Sequence, residues 1–197
     1  MEYIYKENQK GAPVFVLLHG TGGTENDLLP LAQVMEPNYN VLSVRGEVKE
    51  NGMNRYFRRL GEGNYDWDDL EKRSEDLVNF IEGKAAEYEF STNDVIFVGF
   101  SNGSNIAIHM MLNHPDKFKK AMLFAPLYPK NIETKIDFSQ AEVFLSLGKG
   151  DPIVPETESE HVIDIFKNNN ADVTSIWVNG HSLPGEAVEA GQQWINR

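Results

Sequence analysis

Six short runs of β-branched, aliphatic and aromatic residues constrain this chain most: Val14–Leu18, Val41–Val44, Val95–Phe100, Ala121–Phe124, Val143–Leu147 and Val173–Val178. They are continuously apolar rather than alternating, the pattern of strands covered on both faces. Between them, apolar residues recur at helical spacing: Leu28, Leu31, Ala32 and Met35; Leu70, Leu77, Phe80 and Ile81; Ile106, Ala107, Met110 and Met111; Val162, Ile163 and Phe166; and Ala187, Val188, Ala190 and Trp194. Strand and helix alternate along the chain, which predicts an α/β fold, a mostly parallel sheet with helices on both faces. Glu2–Tyr5 reads as an added antiparallel edge strand. Ser91 or Thr92 closes the second helical stretch, and Asn113-His114-Pro115 the third. No repeat or linker interrupts the pattern, so residues 1–197 are read as one domain. Arg45–Asp66 has no clear periodicity, and a loop that long in a compact domain is more often functional than idle.

Charge and composition narrow the function. Thirty acidic residues against 18 basic give a formal charge of −12. Such a surface repels phosphate backbones and anionic lipid, so neither a nucleic acid nor a membrane is expected as partner. The exception is a basic cluster, Arg55, Arg58 and Arg59, read either as a solvated face or as a substrate-facing loop. No cysteine is present, which rules out disulfides, thiolate metal sites and a cysteine nucleophile. With a polar first ten residues, this fits a cytoplasmic protein.

The stretch Val98-Gly99-Phe100-Ser101-Asn102-Gly103-Ser104 carries the chemical argument. Gly99-x-Ser101-x-Gly103 lies where a buried strand meets a helix, so a tight turn lifts the serine hydroxyl above the sheet. The following helix N-terminus supplies backbone N–H groups that can hold an oxyanion. The competing reading is a plain strand-to-helix turn with Ser101 as helix cap.

A serine nucleophile needs a base and an orienting carboxylate, later in the chain for this arrangement. Of five histidines, only His161 and His181 follow Ser101 outside its helix and that helix's end. His161 falls mid-helix, a position suited to a solvated side chain. His181 follows the last strand directly and is the expected base. Asp137, Glu142, Asp151, Asp164 and Asp172 are the candidate carboxylates. Asp151 is preferred, because it follows the Val143–Leu147 strand and would share the carboxyl edge of the sheet with Ser101 and His181. The second half of an oxyanion hole is expected from Leu18-His19-Gly20-Thr21-Gly22-Gly23, which assigns the Thr21 and Asn102 amides as donors. His19 is read as structural. A phosphate loop is not supported, since no Gly-Lys-Ser/Thr follows, and His109 and His114 are badly spaced for a metal. No cofactor or metal is expected.

Together these residues, with Gly150-Asp151-Pro152-Ile153-Val154-Pro155 and Gly180-His181, resemble the phospholipase/carboxylesterase family of α/β-hydrolases, which includes bacterial carboxylesterases and acyl-protein thioesterases. Arg45-Gly46 and Glu50 to Arg59 are similar to an MhqD-like bacterial subgroup of hydroquinone-induced hydrolases. The resemblance implies an α/β-hydrolase fold and the triad Ser101, Asp151 and His181. It departs from the family at Asn102, where Gln is common, and at Thr21, where Leu is frequent; both act through backbone N–H.

The expected activity is hydrolysis of short- to medium-chain carboxylic esters through an acyl-enzyme, with a thioesterase or a non-catalytic binding protein of this fold as alternatives. A chain of this length leaves no room for a cap domain, which suggests an open site. Gly22, Met53, Tyr56, Phe57 and Leu183 are the expected substrate contacts. The aromatics of the Arg45–Asp66 loop, with Trp67 beyond it, either wall the pocket or simply pack the loop down. A small-molecule ester is the expected partner, and a homodimer is possible.

Overall fold

The computed structural model describes residues 1–197. Its main sheet has seven strands: β1 (Tyr3–Lys6), β2 (Val14–Leu18), β3 (Asn40–Val44), β8 (Val95–Phe100), β9 (Lys120–Phe124), β10 (Glu142–Lys149) and β11 (Asp172–Asn179). They are ordered β1-β3-β2-β8-β9-β10-β11, with β1 antiparallel to β3 and every other pairing parallel. The six predicted runs and the edge strand are therefore all present.

Helices α1 (Leu29–Met35), α2 (Trp67–Tyr88), α3 (Asn102–Asn113), α4 (Glu156–Lys167) and α5 (Gly185–Ile195) cover the sheet. The pleat sorts alternate strand residues to opposite faces. Val14, Val16, Val95, Phe97, Leu123 and Leu145 meet α2, α3 and α4, while Phe15, Leu17, Ile96, Val98, Met122 and Phe144 meet α1 and α5. Fully burying one such side chain contributes about 1.5–3 kcal/mol. In α2, the Asp66 side chain caps the Asp69 N–H, and Asp68 and Asp69 favour the positive end of the helix dipole. Every residue of α3 from Asn102 to Leu112 is buried, so this helix is enclosed by the fold.

The stretch from 45 to 66 is more ordered than its sequence periodicity suggests. It forms two small hairpins, β4 (Val48–Glu50) with β5 (Met53–Arg55), and β6 (Arg59–Gly61) with β7 (Asn64–Tyr65). Asn51 and Gly52 turn the first with φ of 50° and 80°, the type I′ turn that Asn-Gly favours. That dipeptide was the readable signal in the sequence.

Parallel register sets up the site. The order in which strands are added to the sheet reverses at β2, with β3 on one side and β8 on the other, so loops leaving β2 and β8 diverge and open a crevice at their carboxyl ends. Gly99 on β8 is level with Leu18 on β2, and Lys149 on β10 is level with Asn179 on β11. Ser101 follows β8 by one residue, and Asp151 and His181 each follow their registered strand ends by two. Three residues distant in sequence thus emerge along one edge.

Candidate active site

The turn at Ser101 is strained, with φ 49° and ψ −114°, a region an L-residue occupies only when its surroundings hold it there. The flanking glycines make this turn possible. A Cβ on Gly99 would lie 2.7 Å from the Ser104 nitrogen, and one on Gly103 would overlap the Leu18 carbonyl. The Ser101 N–H donates to the Phe124 carbonyl at 2.9 Å, and the Ser104 hydroxyl donates to the same oxygen at 2.9 Å. The turn is thereby fastened to β9, and the plain-cap reading fails, since Ser101 makes no side-chain cap hydrogen bond.

Ser101, His181 and Asp151 meet. The Ser101 Oγ lies 2.9 Å from His181 Nε2, and His181 Nδ1 lies 2.7 Å from Asp151 Oδ2. The other Asp151 oxygen accepts the Ile153 and Val154 N–H groups at 2.7 and 3.0 Å. A carboxylate can only accept, so Nδ1 of His181 carries the hydrogen and Nε2 is left to accept from the serine. The Asp151 side chain is 0% exposed and that of His181 13%, which holds the pair out of competing water. The Phe100 ring, 5.5 Å from the His181 ring between centroids, backs the imidazole.

The proposed oxyanion donors lie on the same edge. Asn102 opens α3, where the first N–H groups have no carbonyl within the helix, and Thr21 N–H donates to no backbone carbonyl. No acidic side chain occupies the first turn of α3, so its positive end is uncompensated. Thr21, Ser101, Asn102 and His181 share a cleft of about 240 Å³ with Arg55, Arg59, Tyr65, Phe100, Asn105, Leu127, Ile153 and Val154.

The expected substrate contacts lie elsewhere. Tyr56 is buried; its hydroxyl donates to the Val44 carbonyl at 2.7 Å and accepts the His19 N–H at 2.9 Å. Phe57 is fully buried, edge-on to Tyr65. Both pack the loop down because each ring is better satisfied by core and backbone than by a wet cleft; of the loop aromatics, Tyr65 alone lines the cleft. Gly22 turns at φ 85° with Met53 beside it, and its N–H donates to the Asn54 carbonyl at 2.8 Å. Leu183 packs toward the α1 and α5 face of the sheet.

Sequence reasoning also missed what Asn102 does with its side chain, whose Oδ1 accepts the Tyr56 N–H at 2.8 Å. With Asn54 Nδ2 donating to the Gly23 carbonyl at 2.7 Å, this ties the first hairpin to both the elbow and the oxyanion loop. Only the run of polar residues at 54 and 55 hinted at such a role.

The other histidines are accounted for by structure. His19 Nδ1 donates to the Gly20 carbonyl at 2.6 Å, and Nε2 accepts the Gly46 N–H at 3.0 Å. Burial lowers its pKa and favours the neutral ring. His161 donates to the Lys130 carbonyl. His109 lies between Tyr128 and Glu71, and His114 pairs with Glu75. Glu142 and Asp172 open β10 and β11 at the far edge, where they pair with Arg197.

A mostly parallel sheet, helices on both faces and a serine elbow between β8 and α3 define an α/β-hydrolase fold. The family model for phospholipases and carboxylesterases matches residues 1–197, and the chain belongs to that family. It is 39% identical to MhqD of Bacillus subtilis (strain 168), a protein named as a hydrolase, over 196 residues covering 98% of this chain and 97% of that one. The crystal structure of a Bacillus cereus carboxylesterase superposes with a TM-score of 0.96 at 40% identity, covering 100% of this chain and 93% of the other. YahD, solved with malic acid, superposes with a TM-score of 0.94 at 29% identity, covering 99% and 98%. No helix is long and apolar enough to cross a membrane.

Proposed function

We propose that this protein is a serine carboxylesterase that hydrolyses short- to medium-chain esters in two acyl-transfer steps. His181 Nε2 takes the Ser101 proton as Oγ attacks the ester carbonyl carbon. The carbonyl π electrons move to oxygen, and the Thr21 and Asn102 amides receive that negative charge. Removing one such donor typically costs 10²–10³ in rate. Asp151 holds the imidazole in the required tautomer and stabilises the imidazolium. The intermediate collapses, the C–O bond breaks, and His181 returns its proton to the departing alkoxide. Water, deprotonated by His181, then attacks the acyl-enzyme, and collapse of the second intermediate releases the acid and restores Ser101.

The observation that carries this reading is the continuous hydrogen-bonded chain from Ser101 through His181 to the fully buried side chain of Asp151. Names of the relatives support an ester as substrate, and a cleft of about 240 Å³ with Leu127, Ile153 and Val154 in its wall suits a short acyl group. The test is a series of p-nitrophenyl esters of increasing acyl length, assayed with wild type, Ser101→Ala and His181→Ala. Turnover is expected on acetate and butyrate, falling for long chains and absent in both variants. Full activity in Ser101→Ala contradicts the mechanism, and an optimum at twelve carbons or more contradicts the substrate class.

A further inference from the structure

Arg55 is the feature the esterase reading leaves unused. It is 3% exposed, yet it lines the cleft with Ser101 and His181. Its Nε donates to the Phe57 carbonyl at 3.3 Å and Nη1 donates to Thr21 Oγ1 at 2.7 Å, while Nη2 has no hydrogen-bond partner; the guanidinium carbon lies 5.6 Å from the centre of the Phe57 ring. Nη2 is not fully enclosed, and Arg55 as a whole lines the cleft.

No carboxylate pairs with this guanidinium, although acidic side chains are nearby. Glu50 is engaged by Arg59 at 3.0 Å, and Asp66 and Asp69 lie 3.0 and 3.7 Å from Arg58. Glu62 also lines the cleft; it is exposed and forms no ion pair. Burial lowers the Arg55 pKa, and Arg59 acts in the same direction, but a guanidinium remains charged throughout the working pH range. An unpaired buried charge is costly. In a chain with 30 acidic residues to 18 basic ones, a buried arginine left without a carboxylate has its free donors where a substrate would lie.

Resting on the esterase reading above, we infer that Arg55 binds a carboxylate carried by the substrate, so that the preferred esters are anionic. The free Nη2 and the spare Nη1 hydrogen provide two parallel donors, the fork that matches a carboxylate. Thr21 joins recognition to chemistry, because its hydroxyl accepts from Arg55 while its amide is a proposed oxyanion donor.

The test compares kcat/KM for pairs in which an isopropyl group replaces the carboxylate. Monomethyl succinate against methyl 4-methylpentanoate puts the charge on the acyl side, and O-acetylglycolate against isobutyl acetate puts it on the alcohol side. Wild type is expected to favour the anionic member of at least one pair by roughly tenfold or more, the scale of a charge-assisted hydrogen bond, and the preferred pair identifies the side. Arg55→Gln should collapse the anionic-to-neutral ratio, with Arg55→Lys restoring part of it. A residue that only positioned Thr21 would lower both members alike and leave the ratio unchanged, which overturns the inference. A wild-type ratio of one or below in both pairs overturns it without any variant, whether or not Arg55→Gln folds. Hydrolysis of the neutral esters alone defeats this inference and spares the esterase reading; hydrolysis of no ester, p-nitrophenyl acetate included, defeats both.

Discussion

Ser101, Asp151 and His181 stand one or two residues beyond the ends of parallel strands, whereas Arg55 reaches the same cleft from the end of a hairpin, a second wall backed by the buried Tyr56 next to it in the chain. On the first wall, backbone register does the positioning, and residue identity is enforced by the turn itself: glycine at 99 and 103, where any Cβ collides with backbone. On the second, position depends on side chains that reach across the chain, including Asn102 to Tyr56, Asn54 to Gly23, Arg55 to Thr21 and Tyr56 to Val44. The first kind of wall leaves a motif in the sequence. The second leaves polar and aromatic residues whose partners lie decades of residues away.

Substitutions on the two walls should therefore fail in different ways. The largest effect is expected for Ser101→Ala and His181→Ala, a loss of kcat on the order of 10⁶, the scale known for a comparable hydrolase triad, with the fold intact by circular dichroism. Gly103→Ala should fail structurally, because the Leu18 carbonyl it meets cannot move without disturbing β2. A loss of about 3 kcal/mol or more is expected by urea denaturation, and near-normal stability would show that the elbow is looser than its geometry implies.

Tyr56→Phe and Asn102→Ala probe the second wall. The first strands the Val44 carbonyl and His19 N–H, and the second the Tyr56 N–H. Each should cost about 1–3 kcal/mol in urea denaturation, and a double-mutant cycle should show them to be non-additive, since both act through one residue. Additivity would mean that the hairpin is held by contacts other than these.

How much of this was legible follows the same division. Strand positions were readable because a sheet covered on both faces demands unbroken apolar runs, and the elbow because sterics admit only glycine at its flanks. Asp151 and His181 could be located from order alone once the strands before them were recognised. Tyr56 and Phe57 were placed on the substrate side because an aromatic's side cannot be inferred in a segment without periodicity, and the Asn51-Gly52 turn, which would have set a hairpin there, was passed over. Asn102 was read for its backbone only; that its amide side chain meets the Tyr56 N–H depends on a contact 46 residues distant in sequence.

Smaller effects separate strain from function. Ser101→Gly removes the hydroxyl but relieves the left-handed backbone at φ 49°, so it should be more stable than Ser101→Ala by about 1 kcal/mol by thermal unfolding. Equal stability would place no strain at the elbow. His19 gives a pH signature of similar size. Burial depresses its folded pKa below the unfolded value near 6.5, so below that pH the unfolded chain binds the proton that the folded protein refuses. This contribution to stability is complete above about pH 6.5 and fades as pH falls toward the folded pKa. An NMR titration of the His19 ring should give a midpoint below 6.5, and a midpoint above it would contradict the buried neutral assignment.

The proposed catalysis requires above all that the Ser101 oxygen be the atom that receives the acyl group. Treating the wild-type protein with a fluorophosphonate probe and mapping the adduct by peptide mass spectrometry tests this. Stoichiometric modification at Ser101, abolished in Ser101→Ala and strongly slowed in His181→Ala, is the predicted result. Sustained ester turnover with Ser101 unmodified, or labelling at another residue, would contradict it.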